Sequence, residues 1–227
     1  MNKRNSGSPK AQRLERERKL RRESIIDIAR KFFIEHGYDQ TMVDKIAAEA
    51  GYTKVTIYNY FESKDDLFVA VISRVYENLF NIMDSYLKRP DVESNLRSMG
   101  DAYVEFYEQY PDDAILFESN RLSTVIKNIH KKETNSEDLS ESELEFRVQR
   151  IAIENLMTSV IRETLRNSGI EGKVDSFSVI MVLSTFAQTI RELIIRGKSA
   201  DNQEGKTNEY LSIFFTIIDK GLKHFDD

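Results

Sequence analysis

Apolar positions along the chain recur at the three- and four-residue spacing of helices. Ile25, Ile28, Ala29, Phe32 and Phe33 share one face of a first helix, which Gly37 is expected to stop in a left-handed C′ position. Thr41 followed by Asp44 reads as an N-cap with an acid in the first turn, opening a short helix through Ile46, Ala47 and Ala50 that ends at Gly51. Thr53 caps another short helix through Phe61, and Ser63 with Asp66 three residues on signals a fourth start. Beyond Leu67 the segments lengthen, with helices expected at 64–88, 92–109, 112–129, 141–168, 175–197 and 207–225. Polar stretches from Lys131 to Ser140 and from Lys198 to Lys206 are expected to be mobile linkers. No β-branched alternating run suggests a sheet, so the fold class is all-α.

Composition narrows the class. With 40% apolar and 31% charged residues over 227 positions, the chain has the make-up of a globular protein of one or two domains. No cysteine occurs, which removes disulfides, thiolate nucleophiles and cysteine-ligated zinc together. No apolar run approaches the ~18 residues of a transmembrane helix, and no apolar stretch follows the basic N-terminus as in a secretory signal. A cytoplasmic protein without a membrane partner is therefore expected.

Charge is unevenly spread. Residues 1–22 hold nine Lys or Arg against two Glu, whereas the whole chain is at −5. A basic end on an acidic body is what a polyanion would orient, and a solvated tail is the plain alternative. The expected domains are a basic extension at 1–22, a helix-turn-helix domain at 23–70, and a helical domain at 71–227.

The stretch Thr41 to Leu67 carries the chemistry. Two short helices joined at Gly51 fit a helix-turn-helix, in which one helix braces on the DNA backbone and the other enters the major groove. With Ile57 and Phe61 facing inward, Lys54, Thr56, Tyr58, Asn59 and Tyr60 remain on the surface. Lys54 can donate to guanine O6 and N7, Asn59 can pair with adenine, and Val55 can touch a thymine methyl. Hydroxyls of Thr41, Thr53, Thr56, Tyr58 and Tyr60, with Lys64, can hold phosphates and set register.

Taken jointly, Ile25-Ile26-x-x-Ala29-x-x-x-Phe33-x-x-x-Gly37-Tyr38-x-x-Thr41 and Ile46-Ala47-x-x-Ala50-Gly51-Tyr52-Thr53-Lys54-x-Thr56-Ile57-Tyr58-x-Tyr60-Phe61-x-Ser63-Lys64-x-x-Leu67 resemble the DNA-binding domain of the TetR family. The resemblance implies that Lys54, Val55, Thr56 and Asn59 read base edges, while Thr41, Thr53, Tyr58, Tyr60 and Lys64 hold phosphates. The chain departs from the family pattern at Val55, where a small residue is common, and at Tyr52, where valine is usual. It further implies a homodimer on double-stranded operator DNA, repression as the usual outcome, and a small-molecule effector bound in the second domain.

Apolar residues surround segment 175–197 and span a broad arc of 207–225, so both need cover from two sides. Packing within a subunit or a second copy supplies it; Phe186, Ile190, Ile194, Phe214 and Ile218 are the candidate dimer contacts. Tyr103, Phe106, Tyr107, Phe117, Met157, Phe177 and Met181 are either ordinary core or the lining of an apolar effector pocket.

Catalysis has little support. No H-E-x-x-H, G-x-S-x-G or glycine-rich nucleotide motif is present, and His36, His130 and His224 lack ligand spacing, so no enzyme, cofactor or metal is expected. A DNA-binding scaffold without a small-molecule switch is the other rival; a pocket-free core would be its sign.

Overall fold

A computed structural model describes residues 8–89, 95–117, 119–173, 175, 178, 181 and 206–223. These residues form α1 (Pro9–Gln40), α2 (Val43–Glu49), α3 (Lys54–Tyr58), α4 (Lys64–Leu87), α5 (Asn95–Gln109), α6 (Pro111–Phe117), α7 (Asn120–Thr134), α8 (Glu141–Asn167) and α9 (Lys206–Lys223), with no strand among them. The all-α reading holds, as does the three-helix N-terminal arrangement with its helix-turn-helix. Most of segment 175–197, including Phe177, Phe186, Ile190 and Ile194, lies outside the described residues.

The chain divides into two compact units. One contains residues up to Val75 together with Ile115–Arg147; the other contains Tyr76–Ala114 and the residues from Val148 onward. The start of α8 and all of α7 therefore belong with the helix-turn-helix, a long-range association that local periodicity does not encode.

In the first unit, Ile25, Ile26, Ala29 and Phe33 of α1 bury fully against a core that includes Ile46, Ile57, Phe61 and Leu67. The rings of Phe33, Tyr38 and Phe68 meet with centroids 5.2–5.9 Å apart. Residues 67–72 of α4 are buried on every side, as their unbroken apolar run requires. Gly37 (φ 73°) and Gly51 (φ 71°) occupy the left-handed region, where an L side chain is strained, and both end helical runs as expected.

Ser8 caps α1, which runs from Pro9 through the charged stretch into the apolar face of Ile25 to Phe33 and breaks at Gly37. Three local expectations are corrected. The N-cap of α2 is Met42 rather than Thr41, and no side chain caps it. The segment expected as one helix at 112–129 breaks where the Ser119 hydroxyl accepts from the Arg121 amide at 3.2 Å, starting α7 afresh. Finally, the expected linker Lys131–Ser140 starts as helix, as far as Thr134, and it is anchored at both ends. Lys132 Nζ reaches both Glu143 oxygens at 2.8 Å, while Ser140 and Glu143 exchange backbone and side-chain hydrogen bonds at 2.9 and 3.1 Å in a reciprocal cap of α8.

The start of α4 is built similarly and joined to that of α8. The Asp66 amide donates to the Ser63 hydroxyl at 3.0 Å, and the Asp66 carboxylate accepts from the Glu62 amide at 2.9 Å. The Ser140 hydroxyl donates to Asp66 from the other side. Asp66, Ser140 and Glu143 are all buried, and this mutual satisfaction makes their burial tolerable.

In the second unit, Phe106 and Tyr107 are buried on α5 and the Tyr103 and Tyr107 hydroxyls lie 3.1 Å apart. Burial pushes the Tyr76 phenol up to about 12. Phe215 of α9 packs on Gly100 of α5, where any Cβ would overlap the ring.

Candidate nucleic-acid interface

Gly51 turns the chain, and the Tyr52 amide donates to the Ala47 carbonyl at 2.8 Å, closing the end of α2. Thr53 caps α3 by accepting from the Thr56 amide at 3.2 Å, as its spacing predicts. Ile57, fully buried, fixes which side of α3 faces in. Turn-like bonds from the Tyr60 and Phe61 amides to the Ile57 carbonyl carry the chain on to Phe61.

The opposite side presents Thr53, Lys54, Val55, Tyr58 and Asn59, with Thr56 and Tyr60 half-buried. Val55 is 71% exposed. Thr53 and Thr56 hydroxyls sit 3.0 Å apart, sharing one hydrogen bond. Lys54 Nζ donates to Asp44 Oδ2 at 2.8 Å, and that carboxylate raises the ammonium above the usual lysine range. Eight of the nine residues expected to meet DNA thus remain wholly or partly accessible around α3 and the start of α4.

Thr41 does not. It is 2% exposed, and its hydroxyl lies 3.0 Å from the Phe32 carbonyl and within bonding distance of that of Gly37. Its side chain closes the turn after α1 instead of offering a hydroxyl to phosphate. Lys64 is also engaged: its ammonium lies 4.3 Å from the Tyr38 ring centroid and 3.3 Å from the Asp39 carbonyl oxygen, and burial lowers its pKa.

Beside Lys64 lies a group that sequence reasoning missed. Arg121 of α7 donates to Asp65 through Nε at 3.0 Å and through Nη2, and the Tyr38 hydroxyl donates to the same carboxylate. Burial alone would raise Asp65, yet Arg121 and Tyr38 together outweigh it and hold the carboxyl below its ordinary value. A depressed carboxyl contributes stability above its unfolded pKa of ~3.9 and loses it as pH falls through the folded value. Arg121→Gln should therefore flatten the acid end of the stability curve below about pH 4, measured by urea unfolding at stepped pH. An unchanged curve would assign the acid sensitivity to other carboxylates.

A second missed group backs α3. Arg22 is 3% exposed; its guanidinium donates to Ser142 Oγ at 3.1 Å and to both Glu145 oxygens at 2.8 and 3.2 Å, and lies 5.3 Å from the Phe61 ring centroid. One turn earlier, Arg18 pairs with Glu141 at 3.2 Å and lies 5.6 Å from the Tyr60 ring centroid. The signal was present in the spacing, since Arg18, Arg22, Ile25, Ile26 and Ala29 fall on one helical stripe.

Residues 25–71 match the family model for bacterial regulatory proteins of the tetR family. The chain carries a TetR-type domain there. Over 103 residues it is 32% identical to the transcriptional activator FasR of Mycolicibacterium smegmatis, a match covering 45% of this chain and 46% of that protein. It is 42% identical over 53 residues to the transcriptional repressor BepR of Brucella suis, covering 23% and 25% respectively. The chain thus spans less than half the length of these curated relatives. Its fold is similar to that of the transcriptional regulator FadR from Bacillus subtilis solved with stearoyl-CoA, with a TM-score of 0.58, 18% identity, and coverage of 89% of this chain and 97% of that one. The TetR-type domain ends within α4, before the unit border at Val75.

The residues expected in an effector pocket fare unevenly. Tyr103, Phe106 and Tyr107 cluster on α5, and Met157 is half-buried on α8. Met181 is 51% exposed, and Phe117 ends α6 in the first unit. Of the dimer candidates, Phe214 and Ile218 are half-buried on α9.

Proposed function

We propose that this chain is a sequence-specific transcription regulator that binds a palindromic operator as a homodimer and is released by a small, largely apolar effector. The observation that carries the reading is the TetR-type domain at 25–71, whose α3 is anchored by Ile57 and turns Lys54, Val55, Tyr58 and Asn59 outward. Groove-reading by a helix of this kind needs a rigid back and a polar, hydrogen-bonding front. Relatives named as regulators support transcriptional control over catalysis. Repressor is the better assignment of sign, although FasR is named an activator.

Two recognition helices must sit ~34–36 Å apart to meet successive major grooves, which requires a dimer. On α9, Ile213 and Ile217, one turn apart, are 50% and 64% exposed, and together with Phe214 and Ile218 they suit a self-association face. An effector rich in hydrocarbon agrees with the aromatic core around Tyr103 and Phe106. A long-chain acyl thioester is the first class to try, given the ligand of the Bacillus subtilis FadR structure. No described helix is long and apolar enough to cross a membrane, and a cytoplasmic site of action is proposed.

Selection of bound sites from random duplexes tests the reading. The expected product is a palindrome with half-sites about one helical turn apart; enrichment of no duplex would refute it. The basic first half of α1 exposes Lys10, Arg13, Arg16, Lys19 and Arg21, and we assign it to the DNA backbone. Converting Arg13, Arg16 and Arg21 to Gln should flatten the log–log salt dependence of binding by ~0.9 for each phosphate no longer neutralised. An unchanged slope would leave this stretch a solubilising one.

A further inference from the structure

We propose that Asp44 is a positioning residue for base reading, holding the Lys54 ammonium where it meets one guanine edge instead of sweeping the phosphates. The inference rests on α3 being the helix that enters the groove. Lys54 occupies the first position of α3, where the positive end of a helix disfavours a cation, and the first turn of α3 contains no acid. Compensation comes from another helix: Asp44, in the first turn of α2, places Oδ2 2.8 Å from Lys54 Nζ. Asp44 and Lys54 are 63% and 49% exposed, so the pair adds little to folding. What it does fix is the direction of a long, flexible stem that would otherwise sample many rotamers.

Donor arithmetic fits a guanine. An ammonium has three N–H donors; Asp44 takes one, and the remaining two match the paired acceptors O6 and N7 of one guanine in the major groove. The same carboxylate repels phosphates that would offer Lys54 a sequence-blind partner, so it works against non-specific binding. Next to the lysine, the Thr53 and Thr56 hydroxyls are already joined to each other, which leaves the start of α3 held before DNA arrives.

The test measures binding of wild-type chain, Asp44→Asn, Asp44→Glu and Lys54→Met to a selected operator and to its single base-pair variants. Lys54→Met should lose roughly tenfold preference at one G·C pair per half-site. Asp44→Asn should lose most of the same preference at the same pair, while binding scrambled duplex as well as wild type or better. Its salt slope should steepen by up to ~0.9 per half-site as the freed ammonium finds a phosphate. Asp44→Glu should restore the preference, which a merely structural role for Asp44 would not predict. Wild-type preference in Asp44→Asn at the pair that Lys54→Met loses, or no base-pair effect of Lys54→Met anywhere, overturns the proposal. A wild-type chain indifferent to every duplex would instead remove the regulator reading, and the positioning role with it.

Discussion

Replacing Arg22 with alanine is expected to destabilise the N-terminal unit by about 3 kcal/mol, the largest stability loss foreseen for a charged residue here. Breaking a buried, hydrogen-bonded charge pair costs ~3–5 kcal/mol because the partners stay behind without compensation. The lower end applies, since the Glu145 side chain is 45% exposed and water can solvate it once Arg22 is gone. Ser142 has no such relief: it is fully buried, and truncation takes the guanidinium from its hydroxyl. A void would also open beside Phe61, which closes the end of α3. In urea, with a slope of ~1–3 kcal/mol per molar, the midpoint should fall by ~1–3 M. Arg22→Lys should lie between, because lysine keeps the charge but not the two-pronged geometry. A midpoint unmoved in Arg22→Ala would show that this cluster is not holding α1 to α8.

The largest effect on binding is expected from Asn59→Ala. Asn59 is exposed at the C-cap of α3, where its amide can offer one donor and one acceptor to adenine N7 and N6. A bidentate pair of this kind is worth ~1–3 kcal/mol of discrimination, and a symmetric dimer makes it twice. Affinity for the selected operator should therefore fall ~100-fold or more, while affinity for scrambled duplex and the melting temperature stay where they were. Loss of preference should be confined to one A·T pair per half-site. An equal fall on all sequences would mean that Asn59 touches the backbone and reads nothing.

Much of the helix-turn-helix was legible because its determinants are local. Gly37 and Gly51 supply the left-handed turns, Thr53 caps α3 with its own hydroxyl, and Ile57 sets the inward side. Thr41 misleads for the same reason: its pairing with Asp44 looks like a cap, but its hydroxyl is taken by carbonyls of α1 and the next turn, which only the folded chain brings near. The ion pairs of Arg22 with Glu145 and of Arg121 with Asp65 join residues 123 and 56 positions apart, so spacing rules cannot reach them. Asp44 carries an intermediate lesson: its position marks it as a helix-start acid, and its partner on α3 becomes visible only when the turn at Gly51 brings the two helix starts together.

The most direct measurement is a titration of labelled selected operator by fluorescence anisotropy at physiological salt, with stoichiometry read from the saturation point. Two chains should bind each palindrome, at least ~10³-fold more tightly than they bind scrambled duplex of the same length. Equal affinity for both duplexes, or saturation by one chain on a single half-site with no second copy recruited to the palindrome, would contradict a symmetric reader of DNA sequence built on α3.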